Sequence, residues 1–405
     1  MASSTLSLGS GSYSLLDSLE VVGKVVQRGD NALVTSEGVI TDLGIGSVSS
    51  VSSINSIVTV KAASIENFTA DLGAGNDVLN IIGDVSNASI LFGNLTSVGN
   101  NRLDIRGSLT SDSNVLSILD DPDSYYKAGS TEENIGRNQI SGAAGKDTVS
   151  ISGAVQDTNF YLAGGDDSLV IGGAAIDVYV NTGVGNDVVE FRGTTENIIV
   201  QTDLGNDTVI FRNELIGENN YDDVTASVEL GAGNDSLTLA NGASYAEINT
   251  GSGKDTMRLT GTFDTTEFYL GEGNGDSISI SSNSKFYDSN FGSINTDGDK
   301  LIVGSASLWD NSDISFGLGN DSLVFGSNST FTDSRISLGA GADTLVFGLS
   351  TTFDNITIDL GDDSDIDVLR FASDFQYDGV TFVGYDSNDI YYIGNTNTGY
   401  QFGAL

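Results

Sequence analysis

Cysteine and histidine are both missing from the 405 residues. That removes disulfide scaffolds, zinc sites of the Cys/His type, haem ligation and every Ser-His or Cys-His nucleophile. Basic residues are scarce: 16 Lys and Arg stand against 56 Asp and Glu, a formal charge of −40. Such a chain repels nucleic acid and anionic lipid headgroups, so neither is an expected partner. No stretch approaches the roughly 20 apolar residues of a membrane-spanning helix, and no membrane insertion is expected. The start of the chain, MASSTLSLGSGSYSLLDSLE, lacks the basic segment and the apolar run of a Sec-type signal peptide. Acidity with abundant Gly and Ser usually marks a disordered chain, yet here 39% of residues are apolar and they alternate strictly with polar ones.

What is present is a repeat. An Asp is followed by apolar residues two and four positions later, and Gly-x-Gly or a variant stands just before it. LGAGND at 72–77, continued as VLNI, sets the pattern, which recurs as AGGDDSLVI, GVGNDVVEF, LGAGNDSLTL, GLGNDSLVF and GAGADTLVF. From Asp147 to Asp367 the steps between motif acids are 20, 20, 20, 28, 20, 21, 23, 22, 22 and 24 residues. One turn, one strand and a steady period describe a solenoid rather than a string of globular domains.

Each period reads as strand, turn, strand, turn. Alternation puts Leu79, Val149, Leu169, Val189, Val209, Leu237, Met257, Ile278, Leu301, Leu323, Leu345 and Leu369 on one face as an interior column, with a second column two residues later. Helix is nearly excluded, because β-branched residues dominate and Gly recurs about every dozen residues. The fold expected is all-β: a right-handed parallel β-solenoid of about 20–24 residues per coil. In the C-terminal half Phe263, Phe286, Trp309, Phe331 and Phe353 recur 22 or 23 apart, predicting an aromatic ladder along the far turn. An acid follows each: Asp264, Asp288, Asp310, Asp333 and Asp354. Asx turns at a core corner are the expectation there, with a second metal column as the alternative.

The segment VGNNRLDIRG at 98–107 reads as a decayed coil, and 108–136, which holds the sole proline, Pro122, as an insertion. A shorter insertion around 214–222 accounts for the 28-residue step. The resulting division is a β-rich N-terminal cap or assembly segment at 1–70, a solenoid at 71–370 and a C-terminal cap at 371–405. Atypical ends are what an open stack of strands requires.

The turn carries the chemistry. Calcium takes six to eight oxygen ligands and accepts backbone carbonyls beside carboxylates. Gly at the first and third turn positions frees the backbone to aim its carbonyls, and the Asp that closes the turn adds a carboxylate. The candidate acids are Asp77, Asp147, Asp167, Asp187, Asp207, Asp235, Asp255, Asp276, Asp299, Asp321, Asp343 and Asp367. The candidate glycines are Gly73, Gly75, Gly145, Gly165, Gly183, Gly185, Gly205, Gly231, Gly233, Gly251, Gly253, Gly271, Gly273, Gly317, Gly319, Gly339 and Gly341. A tight hairpin turn explains one Gly-Asn-Asp equally well; twelve in register point to metal. The truncated TDGD at 296–299 and GDDSDID at 361–367 are the weakest sites.

These motifs resemble the RTX nonapeptide GGxGxDxUx, in which U is a large apolar residue, over about three quarters of the chain. The resemblance implies a β-roll or β-helix with calcium in its turns, and export by a type I secretion system that reads an uncleaved C-terminal signal. Family members with tandem nonapeptides carry calcium on both edges. One motif per 20–24 residues places about ten ions along one edge here.

Four functions fit. The first is a secreted, calcium-dependent structural protein that assembles with itself into a surface layer or extracellular filament, with cell-surface polysaccharide as a further partner. An RTX-type adhesin or ice-binding solenoid is the alternative. A carbohydrate-active enzyme on a β-helix is remote, since no carboxylate pair stands apart from the structural acids; no catalytic or organic-cofactor residues are assigned. A calcium-storing or signalling protein lacks an EF-hand loop.

Overall fold

The computed structural model describes residues 11–15, 23–24, 31–36, 39–41, 43–46, 57–73, 75–92, 99–110, 138–218, 226–273, 275–292, 297–361, 363–376, 378–394 and 400–401. The expected insertion at 108–136 lies outside them from 111 onward, as do residues 219–222 of the shorter one. The chain divides into two compact units, Met1–Thr194 and Thr195–Leu405. Each is a parallel β-solenoid.

A coil begins at the motif Asp. In the first unit Thr148–Ile151 forms the first strand, and Val155–Tyr161 forms the rest of the coil, bent at Asp157. Ser168–Ile171 and Ala175–Asn181, bent at Asp177, repeat this one coil later. Register follows the period: Val149 pairs with Leu169 and Ile151 with Ile171, all parallel. The bend residues adopt φ near +50°, which Asn and Asp tolerate better than other L-residues. Asn67, Asn87, Asp157 and Asp177 fill this position in the first unit, and Asn197, Asp288, Asn311, Asp333 and Asn355 in the second.

The expected interior columns are present. In the second unit Leu237, Met257, Ile278, Leu301, Leu323, Leu345 and Leu369 follow one another through successive parallel pairings. All are buried. The segment at 98–107, expected to be decayed, holds an intact strand: Arg102–Arg106 pairs in register with Val78–Leu91 on one side and Thr148–Ile151 on the other. Alternation in RLDIR preserved Leu103 and Ile105 as core residues, which is why the coil survives its altered turn. Parallel pairing also continues to Ile390–Ile393, beside Val368–Phe371. Tyr400–Gln401 then pairs antiparallel with that strand.

The coil widens along the second unit. Coils near Asp235 turn after the first strand through Asn241-Gly242, whereas later coils use four-residue turns with Asn283, Ala306, Asn328 or Ser350 in the left-handed region. A wider cross-section needs bulkier filling, and the column that runs Leu215–Ala243 becomes Phe263, Phe286, Trp309, Phe331 and Phe353 where the coil grows. Phe263 and Phe286 stack at 4.9 Å, Phe286 and Trp309 at 4.1 Å. Phe347 meets Phe353 edge-on at 5.0 Å from the first-strand column, the offset and T-shaped geometries that ring quadrupoles favour. The five acids of this edge do not form one row. Asp288 and Asp333 sit at the bend, where Asn311 and Asn355 donate side-chain hydrogen bonds to them. Asp264, Asp310 and Asp354 fall one residue earlier.

Candidate metal centre

Every predicted acid of the motif is buried, from Asp77 at 0% exposure to Asp147 at 2%. Each lies at the head of a first strand, where the parallel register fixes its neighbour one coil away. The main-chain N–H of one Asp donates to Oδ1 of the next: Asp147 to Asp167 and Asp167 to Asp187, both at 2.7 Å, within the first unit. In the second unit the same bond runs from Asp207 through Asp235, Asp255, Asp276, Asp299, Asp321 and Asp343 to Asp367. The carboxylates form a continuous rung inside each unit. Asp299 and Asp367, whose turns looked weakest, occupy it like the others.

Two rung members escaped the sequence reading. Asn101 stands where an Asp is expected: its Oδ1 accepts from the N–H of Asp77 at 3.0 Å, and its own N–H donates to Asp147 at 2.8 Å. Asp389 ends the second unit's rung by accepting from the N–H of Asp367 at 3.0 Å. The 24- and 22-residue steps from Asp77 and Asp367 were available as signals, but the turn before Asp389 has no Gly-x-Gly.

One oxygen of each accepting carboxylate is thereby used. The other, Oδ2, is buried in Asp167, Asp235, Asp276, Asp321 and Asp343 and among the described residues accepts no hydrogen bond. A buried acceptor without a donor carries an uncompensated desolvation cost. That cost pushes the carboxyls up: to about 8 for Asp167 and Asp343, and about 7 for Asp235, Asp276, Asp321 and Asp367, burial being the largest cause and neighbouring rung acids adding to it. Asp147 is the exception. Its Oδ2 accepts from the N–H of Ala143 at 2.8 Å, and its carboxyl rises only to about 6.

The turn glycines hold backbone carbonyls in successive coils. Position-three glycines stack coil on coil: Gly145, Gly165 and Gly185 in the first unit, Gly205, Gly233, Gly253 and Gly273 and then Gly319 and Gly341 in the second. The N–H groups of Gly145, Gly165, Gly205, Gly233 and Gly319 bond to position-two carbonyls, as Gly233 does to Ser252, and that of Gly341 donates to Asp363 Oδ2 at 2.8 Å, but among the described residues no turn hydrogen bond reaches the carbonyls of Gly165, Gly205, Gly233 or Gly319. Instead each carbonyl points at the Cα of the next glycine. A Cβ built on Gly233, at φ +153°, would lie 1.3 Å from the Gly205 oxygen and 3.2 Å from Asp235 Oδ1. Position-one residues such as Gly73, Gly183, Gly231, Gly251, Gly271 and Gly339 adopt left-handed φ, and Gly361, stacked on Gly339, does too. Gly145 and Gly273 keep their places in the stack without a left-handed φ, and Gly317 accepts from the N–H of Ala340 at 3.0 Å.

Replacing Gly233 with Ala should therefore lower stability by about 3 kcal/mol or more, combining a steric clash with an unfavourable φ. Denaturant unfolding in saturating calcium checks this. Half-buried Gly164, where an added Cβ comes no nearer than 3.4 Å to a neighbour, is the control.

Among the described residues no three acidic side chains come together to hold one ion. A cation here would be held by a rung carboxylate and backbone carbonyls, the mixed oxygen set that suits calcium. The orphaned Oδ2 atoms and the unbonded glycine carbonyls fit that demand.

Among the described residues no helix is long and apolar enough to cross a membrane. No family model and no curated sequence matches the chain. Among solved structures it is similar to a hyperactive, Ca2+-dependent, β-helical antifreeze protein from an Antarctic bacterium, at 18% identity over 91% of this chain and 96% of that one, with a TM-score of 0.52. At that identity the likeness concerns the fold: a parallel β-solenoid.

Proposed function

We propose that the chain is a calcium-conditional structural protein of RTX type, secreted from a bacterium by a type I route, that folds outside the cell and assembles with copies of itself into a surface layer or filament. The observation that carries this reading is the rung of buried carboxylates with orphaned Oδ2 atoms. Metal-free at neutral pH, such a rung opposes folding, and metal binding becomes folding free energy. About ten divalent ions would bring the formal charge from −40 to about −20, two charges for each ion. Extracellular modules bind calcium at roughly 10⁻⁴ to 10⁻³ M, well above the range of cytosolic sensors. The chain would thus cross the cell unfolded and set outside. The fold likeness to a Ca2+-dependent protein supports the calcium part. No catalytic role is proposed, because the buried acids are committed to the rung.

Negative-stain microscopy tests the assembly. Fibres or sheets should form in millimolar calcium and disperse in chelator, whereas particles that stay monomeric in calcium contradict it.

A second reading is ice binding. Thr208, Ser236, Thr256, Ser277, Ser322 and Thr344 present one outward hydroxyl per coil at equivalent register. Lys300 and Val368 interrupt that row, which places this reading second. Thermal hysteresis by the calcium-loaded protein would reverse the order.

A further inference from the structure

The faces of the second unit carry charge of opposite sign. Nine first strands, from Thr208–Phe211 to Ile390–Ile393, contain no Asp or Glu. Three of the unit's few cations, Arg258, Lys300 and Arg370, stand exposed on them. Arg370 lies 4.4 Å over the Tyr392 ring of the next coil, which holds it against the face. The rest of that surface is Ser, Thr and β-branched residues such as Ile302, which is 40% exposed. In a chain of −40 this is a flat, acid-free strip. Within the first unit, considered by itself, the two acids on such strands are both ion-paired: Asp104 with Arg106 at 3.4 Å and Glu190 with Arg192 at 2.8 Å.

The third strands of the coils in the second unit, those after the bend such as Arg335–Ser337 and Ile356–Asp359, are the converse. Glu229, Glu247, Glu267 and Asp359 face outward there, and the one basic residue among them, Arg335, is already bridged to Asp359. Glu247 and Glu267 sit directly across adjacent strands, a like-charge pair that destabilises unless a cation comes near. Burial and the Glu247 and Asp313 charges raise the Glu267 carboxyl, while the Asn290 amide donates to it.

We propose that the first-strand face of one copy docks on the third-strand face of a second copy, setting Arg258 and Lys300 of one molecule against the Glu229, Glu247 and Glu267 patch of its neighbour. This deepens the assembly reading and rests on it. A twofold pairing of first-strand faces would oppose cation to cation, so the contact is heterologous, the kind that repeats into a lateral array where its rotation does not close a ring. Its size sets its strength. Nine strands about 4.8 Å apart and four residues long cover about 38 by 13 Å, or roughly 500 Å². That is below the roughly 800 Å² per partner of a standard stable interface. Single contacts should be weak, concentration-dependent and salt-sensitive, with stability coming from repetition.

Sedimentation velocity in saturating calcium tests this with the full chain. One variant carries Arg258→Glu, Lys300→Glu and Arg370→Glu; another carries Glu229→Lys, Glu247→Lys and Glu267→Lys. Circular dichroism confirms that each is folded, and a milder Gln set at the three cations serves if the first variant is not. Either Glu or Lys variant alone should associate at least tenfold more weakly than wild type, because both of its faces then share a sign. Mixed in equal amounts they should recover wild-type association, since one is acidic on both faces and the other basic on both. Variants that associate like wild type, or a mixture that stays monomeric, overturn the face assignment while leaving assembly standing. A wild type that never associates overturns the assembly reading itself. So does a monomeric wild type whose first-strand face binds ice or an anionic polysaccharide.

Discussion

In metal-free buffer the chain should fold when it is acidified and unfold as the pH rises to neutrality. Burial raises Asp167, Asp235, Asp276, Asp321, Asp343 and Asp367 to about 7 to 8 in the folded state and Asp147 to about 6, against about 3.9 in an unfolded chain. Between those values the folded state binds more protons, so stability falls as pH rises. The contribution is fully present below about pH 4 and is lost as pH rises through the folded values of about 6 to 8. Calcium inverts the sign. Protons then compete with metal for the same oxygens, and lowering the pH from 7 to about 5 should weaken the calcium-loaded form. Far-ultraviolet circular dichroism against pH, in metal-stripped and calcium-containing buffers, checks both limbs. Sodium chloride at pH 7 is the control: it screens the overall negative charge without protonating buried acids, so it should not restore the β signal. Parallel pH profiles in the two buffers would contradict the assignment of the rung as the metal-binding element.

Asp235→Asn should likewise change stability in opposite directions in the two buffers. Without metal the substitution removes a buried, unpaired charge while keeping the carbonyl that accepts from the Asp207 N–H. Asn101 already shows how the amide fits, since its Nδ2 donates to the Gly99 carbonyl at 3.4 Å. The metal-free variant should therefore keep its β signal to higher pH than wild type does. With calcium the same change removes a charged ligand and should cost about 3 kcal/mol, the scale of breaking one partner of a buried charge pair. Bound calcium per chain, by native mass spectrometry, should drop by one. Loss of stability in both buffers would mean that Asp235 acts only through packing or hydrogen bonding.

The solenoid and its interior column were legible because alternation is a local property: whichever coil pairs with which, Leu323 and Phe325 fall on one side of their strand and Val324 on the other. The acid rung was legible from Gly-x-Gly-x-Asp because the backbone there needs glycine. What stayed hidden depends on register between coils. Asn101 lacked the charge that marked the other members, and Asp389 lacked the glycines, yet both are placed by hydrogen bonds from residues about two dozen positions away. The use of one carboxylate oxygen by a neighbouring amide, with the other left over, is equally non-local. At the far edge five acids looked like one repeat, but a shift of one residue separates Asp288 and Asp333 at the bend from Asp264, Asp310 and Asp354. The sign difference between faces emerges only once odd and even positions of every strand are sorted by coil, since Arg258 and Glu267 lie nine residues apart in a chain that reads as uniformly acidic.

Titrating calcium into metal-stripped protein at pH 7, with the β circular-dichroism signal followed, shows whether calcium and the Asp rung form one folding unit. Little β structure is expected at the start, with a cooperative rise completed by millimolar calcium. Chelation should reverse it fully, and magnesium should substitute poorly because it demands tighter octahedral geometry and sheds water reluctantly. A full β spectrum in excess chelator, unchanged by added calcium, would contradict that coupling.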